Sequence, residues 1–172
     1  TIVFYASNPA WSAAGTPSYH YIRAKEAGVK FITVDPIYTA SAQILDAYWI
    51  PVRTGTDTAF MLGVASEMLR LDKEEGNVVD WDFLDKYTVG FDADHKPADL
   101  KEDVNFLDYL NGVYDGEPKT AEWASNICGV PVEKITYFAR EIGKEHDVWM
   151  LHNFAAARCN GSENVPQLFM TL

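Results

Sequence analysis

Four short apolar segments of this 172-residue chain are each followed by small, polar or turn-forming residues. Ser7, Asn8, Pro9 and Ser12 follow Ile2–Tyr5. Asp35, Pro36 and Tyr38 follow Phe31–Val34. Arg53, Gly55, Thr56 and Asp57 follow the segment 48–52, and His152, Asn153 and Arg158 follow 148–151. These residue types suit a nucleotide. Backbone N–H groups at a helix start have no partner inside the helix and face an anion such as phosphate. The carboxylate of Asp35 suits a pair of ribose hydroxyls. A second carboxylate, Asp57, suits the paired donors of a guanine edge. Each residue also has a plainer role. Asn8-Pro9 and Asp35-Pro36 are common turn dipeptides, and Asp57 suits a helix cap. Singly, the plain role is favoured for each. Their recurrence after four successive segments favours a ligand site.

Other chemistry has less support. The glycine fingerprint G-x-G-x-x-G is missing, so an NAD-type site fits poorly. His20, His95, His146 and His152 show no metal-ligand spacing. His20 is expected on an exposed helix face, and His95 and His146 are expected to be solvated among charges. His152 closes a strand and alone has a ligand role open to it. No Ser or Cys sits on a recognisable nucleophile elbow. No catalytic or metal-ligating residue is therefore assigned. Cys128 and Cys159 are too isolated for a cluster and are expected as small buried residues or free thiols. Asp80, Asp82 and Asp85, with Glu74 and Glu75, read as a solvated helix start. The five tryptophans are expected in the core.

The elements that position these residues follow from periodicity. Ile2–Tyr5 and Phe31–Val34 are short runs rich in strand formers, bounded by turn signals. A helix over 19–27, stopped by Gly28, joins them. Two apolar strands joined by a helix predict a parallel βαβ unit. The segment 48–52 predicts a third strand and 148–151 a late one. A helix over 58–71 places Phe60, Val64, Met68 and Leu71 on one stripe. Further helices are predicted over Trp81–Tyr87, 120–126, with Thr120 as N-cap and Gly129 just past its end, 132–144, and 163–172. The stretch 91–103 is polar and reads as a surface excursion. The expected architecture is a single α/β domain over 1–172, a Rossmann-like parallel sheet with helices on both faces. Ligands of such sheets sit beyond the carboxyl ends of the strands, where the four polar clusters fall.

Composition sets limits. The formal net charge of -11 and pI of about 4.6 disfavour nucleic acid, whose phosphates would be repelled. No apolar run is long enough to cross a bilayer, and no signal segment opens the chain. It starts in a strand without an initiator Met and stops in an apolar run, so it is expected to be an internal fragment.

Ser7-Asn8-Pro9, then Val34-Asp35-Pro36-Ile37-Tyr38-Thr39, then Trp49-Ile50-Pro51-Val52-Arg53-Thr54-Gly55-Thr56-Asp57-Thr58-Ala59 resemble three ordered patterns. These are G-x-N-P, I-D-P-R-x-T and W-I/L-P-I-R-P-G-T-D-x-A-L, from the third domain of the dimethyl sulfoxide reductase family of molybdopterin oxidoreductases. Downstream, Phe83-Leu84-Asp85-Lys86-Tyr87 and Asp115-Gly116-Glu117-Pro118-Lys119-Thr120 are similar to segments of the iron–sulfur, membrane-anchored branch. The resemblance covers nearly the whole chain. It implies that the chain binds the guanine nucleotide portion of one molybdopterin guanine dinucleotide in a larger catalytic subunit. It places Ser7, Asn8, Pro9 and Ser12 near pterin or pyrophosphate. It places Asp35, Pro36 and Tyr38 at ribose and guanine, and Gly55, Thr56 and Asp57 around the guanine. Asn153, Phe154 and Arg158 would lie toward the metal side.

Departures stand at Ala6-Ser7, where the pattern has its glycine, at Ile37 and Thr54, and over 153–158. They leave the substrate open among S-oxides, N-oxides and other oxyanions. The resemblance further implies a 4Fe-4S cluster in a missing N-terminal domain and a C-terminal domain covering the cofactor. It implies an iron–sulfur electron-transfer subunit and a membrane anchor as partners, and export of the parent to the periplasm by the twin-arginine route. The chain alone is expected to be inactive and to hold no cofactor. Two other readings differ in class: a stand-alone α/β nucleotide-binding enzyme, and a non-catalytic module that binds a nucleotide or a partner protein.

Overall fold

The computed structural model describes residues 1–12, 15–97, 99 and 104–172. Four parallel strands form one sheet: β1 (Ile2–Tyr5), β2 (Phe31–Val34), β3 (Tyr48–Ile50) and β4 (Trp149–His152), in the order β3-β2-β1-β4. The chain builds outward from β1 through β2 to β3, then returns to place β4 on the other side of β1. The strand order therefore reverses at β1. This is the expected α/β architecture. β3 is shorter than expected, because Pro51 has no N–H to continue the ladder. β4 is shifted by one residue from the expected 148–151 and ends at His152.

In chain order the helices are α1 (Pro9–Ser12), α2 (Pro17–Glu26), α3 (Ala40–Leu45), α4 (Asp57–Glu75), α5 (Trp81–Tyr87), α6 (Phe106–Leu110), α7 (Ala121–Cys128), α8 (Val132–Glu141) and α9 (Val165–Thr171), with a 3-10 turn over Phe154–Ala157. Successive strand residues point to opposite faces, and two apolar clusters result. Phe4 and Phe31 pack with Ala42 and Leu45 of α3, and with Tyr21 and Ile22 of α2. Val3, Tyr5, Ile32, Val34 and Ile50 pack on the other face with Phe60 and Val64 of α4, Ala124 of α7, Phe138 of α8 and Leu168 of α9.

Helix α4 is longer than the expected 58–71, and its buried surface is wider than one stripe. Phe60, Val64 and Leu71 are buried as expected, but so are Met61, Leu62, Gly63 and Ala65. The helix is enclosed by α7, α8 and α9 as well as by the sheet. A Cβ built on Gly63 would sit 2.3 Å from Ala124 Cβ, so α4 and α7 approach more closely than any side chain there would permit. Helix α7 starts as expected: the Thr120 hydroxyl accepts from Trp123 N, and Gly129 closes the helix with a φ of 73°. The short helices α1, α3 and α6 were not expected.

Two expectations are corrected. The tryptophans are not core residues: Trp11, Trp81 and Trp149 are exposed, and Trp49 and Trp123 half-buried. The indole N–H groups of Trp49 and Trp81 reach polar partners, Asp35 O and Asp72 Oδ2, which a fully apolar site would not offer. His95 is not simply solvated. Its Nδ1 lies 2.7 Å from Asp92 Oδ1 and its Nε2 2.8 Å from Asp85 Oδ1, and the Asp92 carboxylate holds its pKa above the ordinary value. His20 and His146 are exposed, as expected. Cys128 is buried and Cys159 exposed, both as free thiols. Of the expected excursion over 91–103, residues 98 and 100–103 lie outside the described residues. Among the described residues no helix is long and apolar enough to cross a membrane.

Candidate functional site

The parallel register places the strand ends side by side. Tyr5 is opposite both Val34 and His152, and Val34 is opposite Ile50. The pairing continues for one residue beyond three of these contacts. Ala6 N donates to Val34 O at 2.9 Å, Asp35 N to Ile50 O at 3.2 Å, and Asn153 N to Tyr5 O at 3.2 Å. The polar segments therefore leave the sheet along one edge, centred on the strand where the order reverses.

Asp57 starts α4 at this edge. It is the first helical residue rather than the cap, which is Thr56. The Thr56 hydroxyl donates to Arg53 O at 2.7 Å and does not cap the helix, so the first amides of the 19-residue α4 have no side-chain acceptor from Thr56. Gly55, at a φ of 80°, makes the turn into Thr56. The Asp57 carboxylate is buried and accepts a hydrogen bond from the Tyr5 hydroxyl at 3.0 Å. Tyr5 is itself fully buried, and its ring packs against Phe60, Phe169 and His152. Burial, followed by the neighbouring Asp57 charge, pushes the Tyr5 phenol well up, so Tyr5 stays a donor. His152 Nε2 is buried with no hydrogen-bond partner among the described residues, and burial pushes the imidazole pKa down.

Asp35 closes β2. Its Oδ1 accepts from Ile37 N at 3.1 Å, and its backbone carbonyl accepts from the Trp49 indole at 2.8 Å. Burial raises its pKa, the Ile37 N–H opposes the rise, and the Asp57 charge adds to it. Pro36 and Tyr38 are exposed, and the Tyr38 ring meets Trp49 edge-on at 5.6 Å.

The segment after β1 is tied down differently. Asn8 Oδ1 accepts from both the backbone N (3.2 Å) and the hydroxyl (2.7 Å) of Ser41, and the Ser41 hydroxyl accepts from Ala10 N at 2.9 Å. The Ser12 hydroxyl donates back to Asn8 O at 3.1 Å. Asn8 and Ser12 thus hold α1 together and against α3, with Pro9 as the first residue of α1. Ser7 is half-buried. After β4, Asn153 Oδ1 accepts from Phe154 N at 2.7 Å and caps the 3-10 turn. Phe154 is exposed, and the Arg158 guanidinium lies 5.8 Å from its ring centre.

Topology gathers Asp35, Gly55, Thr56, Asp57 and Asn153 at the strand ends. Burial is the main cause of the raised pKa of Asp35 and of the lowered pKa of His152, and the Asp57 charge acts upward on both. Phe154 and Arg158 instead pair with each other on the turn beyond β4. The residues that follow the strands line one ledge along this edge of the sheet. A cavity of about 680 Å³ lies elsewhere, lined by Met68, Phe83, Phe91, Phe106 and Met170 among others. It contains none of the strand-end residues. Volume alone would favour that groove, but its lining is mainly apolar and lacks the convergent donors and acceptors of a nucleotide site.

Three participants escaped sequence reasoning: Tyr5, Ser41 and Trp49. Tyr5 read only as a strand residue, Trp49 as a strand and motif residue with no contact assigned to it, and Ser41 carried no signal. Their partners are 52, 33 and 14 residues away in the chain.

No protein-family model matches the chain. It is 36% identical over 156 residues to the trimethylamine-N-oxide reductase of Haemophilus influenzae, covering 87% of this chain and 17% of that protein. It is 35% identical over 161 residues to the dimethyl sulfoxide reductase of Escherichia coli, covering 91% of this chain and 19% of that protein. It is 37% identical over 148 residues to the biotin sulfoxide reductase of Cereibacter sphaeroides, covering 82% and 18%. The chain thus spans about a fifth of the length of these relatives. Among solved structures, the acetylene hydratase of Pelobacter acetylenicus superposes with a TM-score of 0.65 over 97% of this chain and 20% of that one. At 21% identity that likeness concerns the fold.

Proposed function

We infer that this chain, a homologue of one segment of the dimethyl sulfoxide reductase family, is the nucleotide-binding part of a larger molybdopterin oxidoreductase. In this reading the strand-end ledge holds the guanine nucleotide portion of a molybdopterin guanine dinucleotide. The observation that carries it is the placement of Asp35 after β2 and of Asp57 at the start of α4 along one sheet edge, at the point where strand order reverses. Ligands of open α/β sheets bind at such points.

The donor and acceptor set fits that nucleotide. The amides at the start of α4, which Thr56 does not cap, suit an anionic group. A carboxylate offers about four acceptor positions, and Tyr5 takes one on Asp57, which leaves room for two parallel donors of a guanine edge. Asp35 keeps acceptor capacity beside the Ile37 N–H for ribose hydroxyls, and exposed Tyr38 flanks it. Gly55 brings backbone close without a side chain in the way. Asn153 holds the start of the last loop against β1, with Phe154 and Arg158 exposed beyond it.

In the whole enzyme a bound molybdenum cofactor would supply the two-electron redox chemistry for an S- or N-oxide. The residues of this chain bind and orient its nucleotide end. They form one wall of the cleft, so the chain alone is expected to hold the cofactor weakly and not to turn over substrate. On the same resemblance, a 4Fe-4S cluster and further domains belong to the rest of the catalytic subunit. An iron–sulfur subunit and a membrane anchor would deliver electrons at the outer face of the cytoplasmic membrane.

Calorimetric titration with GMP and AMP tests the reading. GMP is expected to bind more tightly than AMP, and Asp57→Ala is expected to remove that preference. Equal binding of the two nucleotides, or a preference that survives Asp57→Ala, would overturn it.

A further inference from the structure

We propose that Tyr5 is a positioning residue for nucleobase selection, acting through the carboxylate of Asp57. The inference rests on the reading of the ledge as a guanine nucleotide site. Tyr5 is the last residue of β1, the strand where the order reverses, and Asp57 is the first residue of α4. Their 3.0 Å hydrogen bond joins the strand end to the helix start beneath the ledge.

The Tyr5 ring has little freedom. Phe60, Phe169 and His152 pack around it with ring centres at 6.4, 5.9 and 5.9 Å, and the residue is 0% exposed. A phenol held on this many sides presents its hydroxyl at one place. A buried hydroxyl without a partner is costly, so the bond to Asp57 is retained and the carboxylate is held in turn. Among the described residues, the hydroxyl that Asp57 Oδ1 accepts from is that of Tyr5, 52 residues away. A guanine edge offers two parallel donors and therefore needs a carboxylate in one orientation. An adenine edge offers no such pair and gains nothing from that orientation. Phosphate and ribose contacts, made by the amides of α4 and by Asp35, are common to both nucleotides.

The consequence is a selective loss. Tyr5→Phe keeps the buried ring and removes the hydroxyl. The GMP-to-AMP affinity ratio is expected to fall about five- to tenfold, roughly the net worth of one ordinary hydrogen bond. AMP affinity itself is expected to stay within about twofold, whereas a merely structural role for Tyr5 would lower both affinities together. A wild-type preference for GMP that persists in Tyr5→Phe overturns the positioning role and leaves the site reading intact. A wild-type chain without any GMP preference overturns both.

A measurement on the wild-type chain guards against a Tyr5→Phe variant that does not fold. The Tyr5 hydroxyl proton, slowed in exchange by its burial, is expected to shift by proton NMR on addition of GMP and not of AMP. A resonance unmoved by bound GMP contradicts the proposal.

Discussion

Asn8 Oδ1 accepts two hydrogen bonds from Ser41, one from its backbone and one from its hydroxyl. The pair bridges 33 residues and ties α1 to α3 at the end of the sheet. The Asn-Pro turn after β1 is therefore a structural brace in its own right, whatever else it contacts. Asn8→Ala would leave the Ser41 N–H and hydroxyl without this acceptor. A loss of about 1–2 kcal/mol in urea unfolding is expected, in the range for part-buried hydrogen bonds. Ser41→Ala should cost a similar amount and add little in the double variant, because both changes break one network.

Ala6 adopts a φ of 51°, in the left-handed region that a Cβ disfavours. It stands where the resembled G-x-N-P pattern has glycine. The strain costs roughly 1–2 kcal/mol, while glycine adds about 0.5–1 kcal/mol of chain entropy. Ala6→Gly is therefore expected to stabilise the chain slightly, by up to about 1 kcal/mol. Ala6→Val, branched at Cβ, should destabilise it by more than 1 kcal/mol (an order-of-magnitude figure of about 2). Thermal unfolding of the two variants checks the opposite signs.

Glu67 gives the clearest pH dependence. Its side chain is buried on α4, takes two hydrogen bonds from Arg70, and accepts from Thr136 of α8 at 2.7 Å. The Arg70 hydrogen bonds, joined by Thr136, hold its pKa below the ordinary value against the opposing effect of burial. A depressed carboxylate contributes stability that is fully present above its unfolded value, about 4.3. That stability is lost as pH falls through the lower folded value. Arg70 is half-exposed, so water screens part of the pairing. Glu67→Gln is expected to cost about 1–2 kcal/mol near neutral pH. The gap should stay flat from about pH 7 to 5 and close below about 4. A gap that widens in acid would contradict this assignment.

The sheet was legible because Ile2–Tyr5 and Phe31–Val34 are runs of β-branched and aromatic residues cut off by turn signals. Placing polar clusters after them required only the rule that parallel strands end at one edge. Helix α3 was missed because Ala40–Leu45 is short and has no amphipathic repeat. It is held instead by the Thr39 cap and by Asn8. The tryptophans were misplaced because composition reports hydrophobicity, whereas an indole N–H seeks a partner near water. Asp57 was legible as a candidate, but Tyr5 was not, since a strand tyrosine gives no sign of what its hydroxyl will meet. The Asp115-Gly116-Glu117-Pro118-Lys119 motif also gains a physical basis. Lys119 is 2% exposed, and its ammonium group lies 2.6 Å from Asp115 Oδ2, beside the rings of Tyr109 and Trp123.

In this reading the ledge formed by the four strand ends receives a guanine nucleotide. The most direct test is a backbone-amide NMR titration of the chain with GMP, with AMP as the control. Shifts are expected to concentrate at Asp35 to Tyr38 and at Gly55 to Ala59, larger for GMP than for AMP. Saturable GMP shifts confined to the apolar groove around Phe83 and Met170, or none at either strand-end segment, would contradict it.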